Sequence, residues 1–196
     1  DIRIGIEMEE AKLTTPDVIS LNRLFDKMIQ ENCEYAVMEV SSHALDQGRV
    51  AGVEFEVGMF TNLSRDHLDY HGNMLEYLNA KKSLFDHLGP SRLALTNIDE
   101  KNGEVMLQNC KAQHMTYGLT RMADVKSKIM HLDLNGMMLQ TNGIEWHTRL
   151  IGKFNAYNLS AAIAIANWFV DDLHLVTIAA STLNAAQGRF EVVRDS

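Results

Sequence analysis

The feature that most constrains this chain is a repeated alternation: short apolar runs, each ending in a polar cluster, separated by segments of helical period. Tyr35 to Val40 (Y-A-V-M-E-V) reads as a buried strand, and Phe55 to Phe60 and Arg92 to Ile98 read as two more. Between them, Pro16 opens an amphipathic stretch with Thr15 as a candidate N-cap. In that stretch Leu21, Leu24, Phe25, Met28 and Ile29 recur at helical spacing. Met74 to Leu88 repeats the pattern, and Gly89-Pro90 stops it. Lys101 to Cys110 reads as a helix and Ala112 to Tyr117 as a fourth strand. Strands that alternate with helices specify an α/β fold, a mostly parallel sheet with helices on both faces.

The pattern then changes. Asp124 to Ile151 holds strand-like segments broken by Asn135-Gly136 and Asn142-Gly143, and Asn-Gly is a strong hairpin signal. A small antiparallel meander is expected there. Asn155 to Phe169 and Val176 to Ala186 read as helices, Gly188 as the stop of the second, and Phe190 to Val193 as a final strand. With two prolines and no low-complexity linker, the 196 residues read as one domain.

Composition narrows the function classes. The net charge is -8 and no stretch is strongly basic, so nucleic-acid binding has no electrostatic footprint. The longest apolar run, Ala161 to Val170, is interrupted by Asn167 and too short to span a bilayer. No membrane partner is expected. Cys33 and Cys110 form neither a disulfide framework nor a metal spacing, which fits a reducing cytoplasmic setting.

In parallel α/β sheets ligands gather at the carboxyl ends of strands. Polar clusters fall there three times: Glu39-Val40-Ser41-Ser42-His43, Thr61 to His67, and Thr96-Asn97-Ile98-Asp99. Each alone could be turn and capping chemistry. Three successive clusters suggest one shared site. Glu39, set among apolar residues, needs either a buried ion pair or a metal. His67 is a structural histidine or a neutral imidazole ligand. Glu and His together suit Mg²⁺ only where phosphate and water oxygens complete the shell.

E-V-S-S-H-A-L-D-Q-G-R-V (Glu39 to Val50), T-N-L-S-R-D-H-L-D-Y-H-G (Thr61 to Gly72), Y-L-N-A-K-K-S-L-F (Tyr77 to Phe85), G-K-F-N-A-Y-N-L-S-A-A (Gly152 to Ala162) and Q-G-R-F-E-V (Gln187 to Val192) occur in that order. Together they resemble the central, ATP-binding domain of the Mur-type peptide ligases, and the first block resembles the MurE branch. The resemblance implies an ATP-dependent ligase that adds a diamino acid to UDP-N-acetylmuramoyl-L-alanyl-D-glutamate through an acyl phosphate, in peptidoglycan synthesis. It implies Mg²⁺ held by Glu39 and His67, and a CO₂-derived carbamate on Lys81 beside the metal, with Lys82 as the alternative register. It implies contacts of Thr14 and Thr15 with the peptide arm of the UDP substrate, of Ser41, Gln47 and Arg49 with the substrate, and of Asn155, Asn158 and Arg189 with ATP. Asn97 and Asp99 match an N-x-D-D segment in which Glu100 replaces the second acid.

The family's P-loop, G-x-x-G-K-T/S, does not occur in the 196 residues. The chain also lacks an initiating Met. The resemblance therefore implies a fragment of the central domain, without the flanking uridine-binding and C-terminal domains. Two other readings remain open here: a related ligase of the MurF or folylpolyglutamate synthase type, and a non-catalytic domain.

Overall fold

The computed structural model describes residues 1–184. Strands β1 (Ile2–Ile4) and β2 (Glu7–Glu9) come first, then helices α1 (Val18–Gln30) and α2 (Ser42–Asp46), β3 (Val57–Phe60), α3 (Leu68–His71) and α4 (Met74–Asp86). There follow β4 (Leu93–Asn97), α5 (Gly103–Leu107), β5 (Gln113–Gly118), β6 (Val125–Asp133), β7 (Gly136–Thr141), β8 (Ile144–Thr148), α6 (Lys153–Val170) and α7 (Leu173–Ser181). The expected final strand, its preceding Gly188 and Arg189 lie outside the described residues. Among the described residues no helix is long and apolar enough to cross a membrane.

The chain divides into two compact units, Asp1–Phe55 with Ser64–His87, and Glu56–Leu63 with Leu88–Ser196. In the first unit, β1 and β2 form an antiparallel hairpin with Ile4 opposite Glu7, which the sequence did not announce. Helix α1 begins later than expected because Asp17, not Thr15, is its N-cap. The Asp17 carboxylate accepts the Ile19 and Ser20 N–H groups at 3.0 Å each. The expected apolar stripe turns inward at Leu21, while Ile29 is exposed. Helix α4 is capped by Asn73, whose side chain accepts the Leu75 and Glu76 N–H groups at 3.0 Å, and it buries Tyr77 and Phe85.

One expected strand is corrected. Tyr35 to Val40 is not a β-strand, and Tyr35 and Val37 are 65% and 96% exposed. The run is apolar enough for a buried strand, but a strand also needs a ladder partner, and none of the described strands pairs with it.

The second unit carries a six-stranded sheet in the order β3-β4-β5-β6-β7-β8. Strands β3 to β6 are parallel, and β6 to β8 form the antiparallel meander expected from the Asn-Gly turns. Asn142 and Gly143 have φ of 45° and 91°, the positive values that a tight two-residue hairpin turn demands. The β5–β6 seam is short: only Tyr117 with Val125 and Gly118 with Lys126. Every residue of β4 is buried, so both faces of this strand are covered, as a parallel strand requires. Leu95 joins Tyr117, Val125, Met137, Leu139 and Trp146 in a core packed on Ala156, Leu159, Ile163 and Ala164 of α6 and Val176 and Ala180 of α7. Each large apolar side chain buried this way contributes roughly 1.5–3 kcal/mol.

Candidate functional site

Thr15 organises the loops of the first unit. It is completely buried. Its hydroxyl donates to the Glu39 carbonyl at 2.9 Å and accepts the Ser41 N–H at 3.0 Å. Ser41 in turn caps α2, accepting the Ala44 N–H at 3.2 Å. Arg49 donates through Nη1 to the Thr15 carbonyl at 3.1 Å, and through Nε and Nη2 to Gln47 Oε1 at 2.9 and 2.5 Å. Gln47 donates to the Tyr70 hydroxyl at 3.1 Å, and that hydroxyl donates to Asp46 at 2.7 Å. Thr15, Ser41, Gln47 and Arg49, singled out in the sequence one by one, thus form one hydrogen-bonded network, with exposed Thr14 beside it.

Glu39 differs from expectation. Because its segment is not a buried strand, the carboxylate is exposed and burial forces no partner on it. What remains is a carboxylate open to a cation, on a backbone clipped by Thr15.

His67 adopts the left-handed conformation, φ 56° and ψ 21°, as it caps α3. Non-glycine residues hold this shape at some cost, of order 1–3 kcal/mol. Its N–H donates to Asp66 at 2.8 Å. Its ring lies edge-on to His43, 4.9 Å between centroids, and edge-on to Tyr77 at 5.9 Å. His71 stacks on Tyr77 at 5.2 Å and bonds Ser42 Oγ through Nε2 at 2.9 Å. Burial, with His43 beside it, pushes the His71 imidazole below its ordinary pKa. Of these rings only His67 stood out in the sequence as a candidate ligand. His43 and the Tyr70-His71 pair lie inside the same two motifs and were legible as aromatic neighbours.

The two lysines of α4 part company. Lys81 is half-buried, and burial depresses its ammonium pKa against the opposing pull of Glu39. Lys82 forms an ion pair with Asp86 one turn on. Helical rotation of about 100° per residue separates them.

The remaining predicted residues belong to the second unit. Asn97, nearly buried, donates to the Thr61 carbonyl at 3.1 Å and accepts the Asp99 N–H at 3.0 Å. It therefore serves the strand ends, as the turn-chemistry reading of its cluster allowed. Glu39 and His67 belong to the first unit and Asn97 to the second. Asn155 donates to the Ile151 carbonyl at 2.8 Å, satisfying a group ahead of α6, and Asn158 is exposed.

The Mur ligase middle domain family matches residues 2–166. The UDP-N-acetylmuramoyl-L-alanyl-D-glutamate–2,6-diaminopimelate ligase of Parabacteroides distasonis is 49% identical over 92% of the chain and 37% of its own length. The ligase of the same name from Bacillus cereus is 40% identical over 98% of the chain and 41% of its own length. A solved structure of such a diaminopimelate ligase superposes with a TM-score of 0.78 at 32% identity, over 93% of the chain and 39% of that protein. MurF from Thermotoga maritima in complex with ADP shares the fold, with a TM-score of 0.63 at 14% identity over 86% of the chain and 41% of that protein. The chain thus spans about two fifths of the length of the relatives it matches. The Glu39–Val50 network, the α4 lysines and the sheet with its meander all fall within the matched span, and this chain belongs to the Mur ligase family, in the stretch that forms its middle domain.

Proposed function

We propose that the protein carrying this chain joins UDP-N-acetylmuramoyl-L-alanyl-D-glutamate to 2,6-diaminopimelate, using ATP, in the cytoplasmic steps of peptidoglycan synthesis. The observation that carries this reading is the Thr15–Ser41–Gln47–Arg49 network, taken with relatives of that name at up to 49% identity. Gln47 occupies the Nε–Nη2 edge of Arg49, the edge that matches a carboxylate bidentately. A substrate carboxylate displacing Gln47 would find the guanidinium already anchored through Nη1 to the Thr15 carbonyl. Thr14, Ser41 and Gln47 flank that position. On the ATP side the reading assigns Asn155, Asn158 and Arg189.

Glu39 and His67 suit a Mg²⁺ site. Among the described residues no group of three or more His, Cys, Asp or Glu is arranged to hold a metal ion. That donor set fits a cation that takes one or two protein ligands and completes its shell with phosphate and water. When bound, Mg²⁺ would hold the γ-phosphate and offset charge that develops on the phosphoryl oxygens. Lys81 suits a carbamate: a neutral amine is needed to capture CO₂, and burial favours the neutral form. The product is an anion close to the proposed metal side chains.

The test uses the full-length protein. Phosphate release should require ATP, the UDP-linked dipeptide and diaminopimelate together, with one ADP formed per amide bond. Amide formation without ATP consumption, or ATP consumption indifferent to the dipeptide, overturns the reading.

A further inference from the structure

Asp99 is held by donors from two stretches of chain distant from its own strand end. Its Oδ2 accepts the Leu119 N–H at 2.6 Å, the Thr120 N–H at 2.8 Å and the Tyr157 hydroxyl at 2.9 Å. Its Oδ1 accepts the Arg121 N–H at 2.7 Å. Arg121 closes the turn by donating to the Ile98 carbonyl and to Glu104, both at 2.6 Å. Three of these donors converge on Oδ2 and one on Oδ1, so most of the roughly four acceptor positions of a carboxylate are spent within the fold. Its work is to tie the end of β4, the loop from β5 to β6 and the first turns of α6 to one point.

The third of those tethers reaches the nucleotide side. Tyr157 stands in the sequence between Asn155 and Asn158, two of the residues assigned above to ATP. Helix α6 needs outside support there, because its N-cap is Gly152 and no side chain caps it. A hydrogen bond to an ionised acceptor is stronger than a neutral one. Burial, with Asp99 as neighbour, pushes the Tyr157 phenol up to about 12, so it remains a donor at neutral pH.

We propose that Asp99 is a positioning residue for adenine recognition: by holding Tyr157 it sets the roll of the first turns of α6, and so the direction in which Asn158 presents its amide to the base of ATP. The proposal rests on the function argued above.

Kinetics of the full-length protein with ATP and with GTP test it, for Tyr157→Phe and Asp99→Asn, with Asn158→Ala as the reference. Tyr157→Phe keeps the ring and removes only the tether. It should raise KM for ATP about fivefold, the scale of one hydrogen bond, while kcat stays within about twofold. The preference for ATP over GTP should fall with it, because the aim of the amide is what separates the two bases. A merely structural bond would lower the melting temperature and leave KM and base preference where they were, and that result overturns the proposal. Asp99→Asn should show the same signature more strongly; if it does not fold, Tyr157→Phe decides alone. Should Asn158→Ala raise KM for ATP while Tyr157→Phe does not, the positioning role is wrong and the function stands. A full-length protein indifferent to ATP overturns both.

Discussion

The ammonium of Lys81 stands over the ring of Tyr77, with Nζ 5.3 Å from the ring centroid. The same ring meets His67 edge-on and carries His71 stacked upon it. Lys81 therefore sits in an aromatic, partly desolvated corner, whereas its neighbour Lys82 is held by Asp86.

Substituting these lysines in the full-length protein should separate their roles. Lys81→Ala should reduce ligation by about 100-fold or more, the scale of losing one preorganised charged group, with slight recovery on adding formate or acetate. Lys82→Ala removes a helix-surface pair contributing about 0.3–0.5 kcal/mol and should leave most activity. The reverse pattern would move the carbamate to Lys82, and two active variants would remove it altogether.

Thr15→Val tests the buried clip. The substitution keeps the volume but strips the Glu39 carbonyl and the Ser41 N–H of their shared partner. These bonds are part-buried and a hydrogen bond contributes about 0.5–1.5 kcal/mol net, so the urea midpoint of the chain should fall, and Thr15→Ser should recover most of it. Equal stability for Val and Thr would mean that the hydroxyl contributes nothing there.

Asp99 makes stability depend on acid. Burial alone would push its carboxyl up, but hydrogen bonds from Thr120, Arg121 and Leu119 outweigh it and hold the group well below the usual carboxylate range. A carboxylate depressed in the folded state stabilises fully above its unfolded value near 3.9, and this stabilisation is lost as pH falls through the folded value. The stability gap between the parent chain and Asp99→Asn should accordingly narrow between about pH 7 and about pH 3. A gap that holds constant or widens contradicts the arrangement.

Gly103→Ala sets two effects against each other. Alanine favours a helix over glycine by about 1 kcal/mol. Here, however, an added Cβ would stand 2.1 Å from the Asn97 carbonyl oxygen, and a backbone atom cannot swing aside. Overpacking of this kind costs about 1–3 kcal/mol or more, so the clash wins and the melting temperature should drop. An unchanged or higher melting temperature would contradict the close approach.

The purified 196-residue chain should not turn over ATP. Its sequence contains no G-x-x-G-K-T/S loop, the element whose backbone N–H groups cradle phosphates. Magnesium-dependent ADP formation by this chain would show that its own residues suffice.

Much of this was legible because the signals are local. Asn142-Gly143 specifies a turn through the positive φ of two residues, and Gly89-Pro90 marks the stop of a helix. Pairing is not local. Tyr35 to Val40 has the composition of a buried strand, yet nothing within six residues says what would lie beside it, and the burial expected of Glu39 rested on that strand. Likewise Asn97 and Asp99 were visible as polar groups at a strand end. Only the fold reveals that the first serves a turn and the second a junction, since the donors to Asp99 come from residues up to 58 positions away.

The two-pair seam between β5 and β6 has a mechanical consequence. Few ladder bonds join the parallel strands to the meander, so tension applied along the strands would shear the sheet there first. Helix α6 touches β4, β5 and β6 and lies across that weak line like a splint. The tether from Asp99 fastens one end of the splint, which makes a single carboxylate the rivet of the load path.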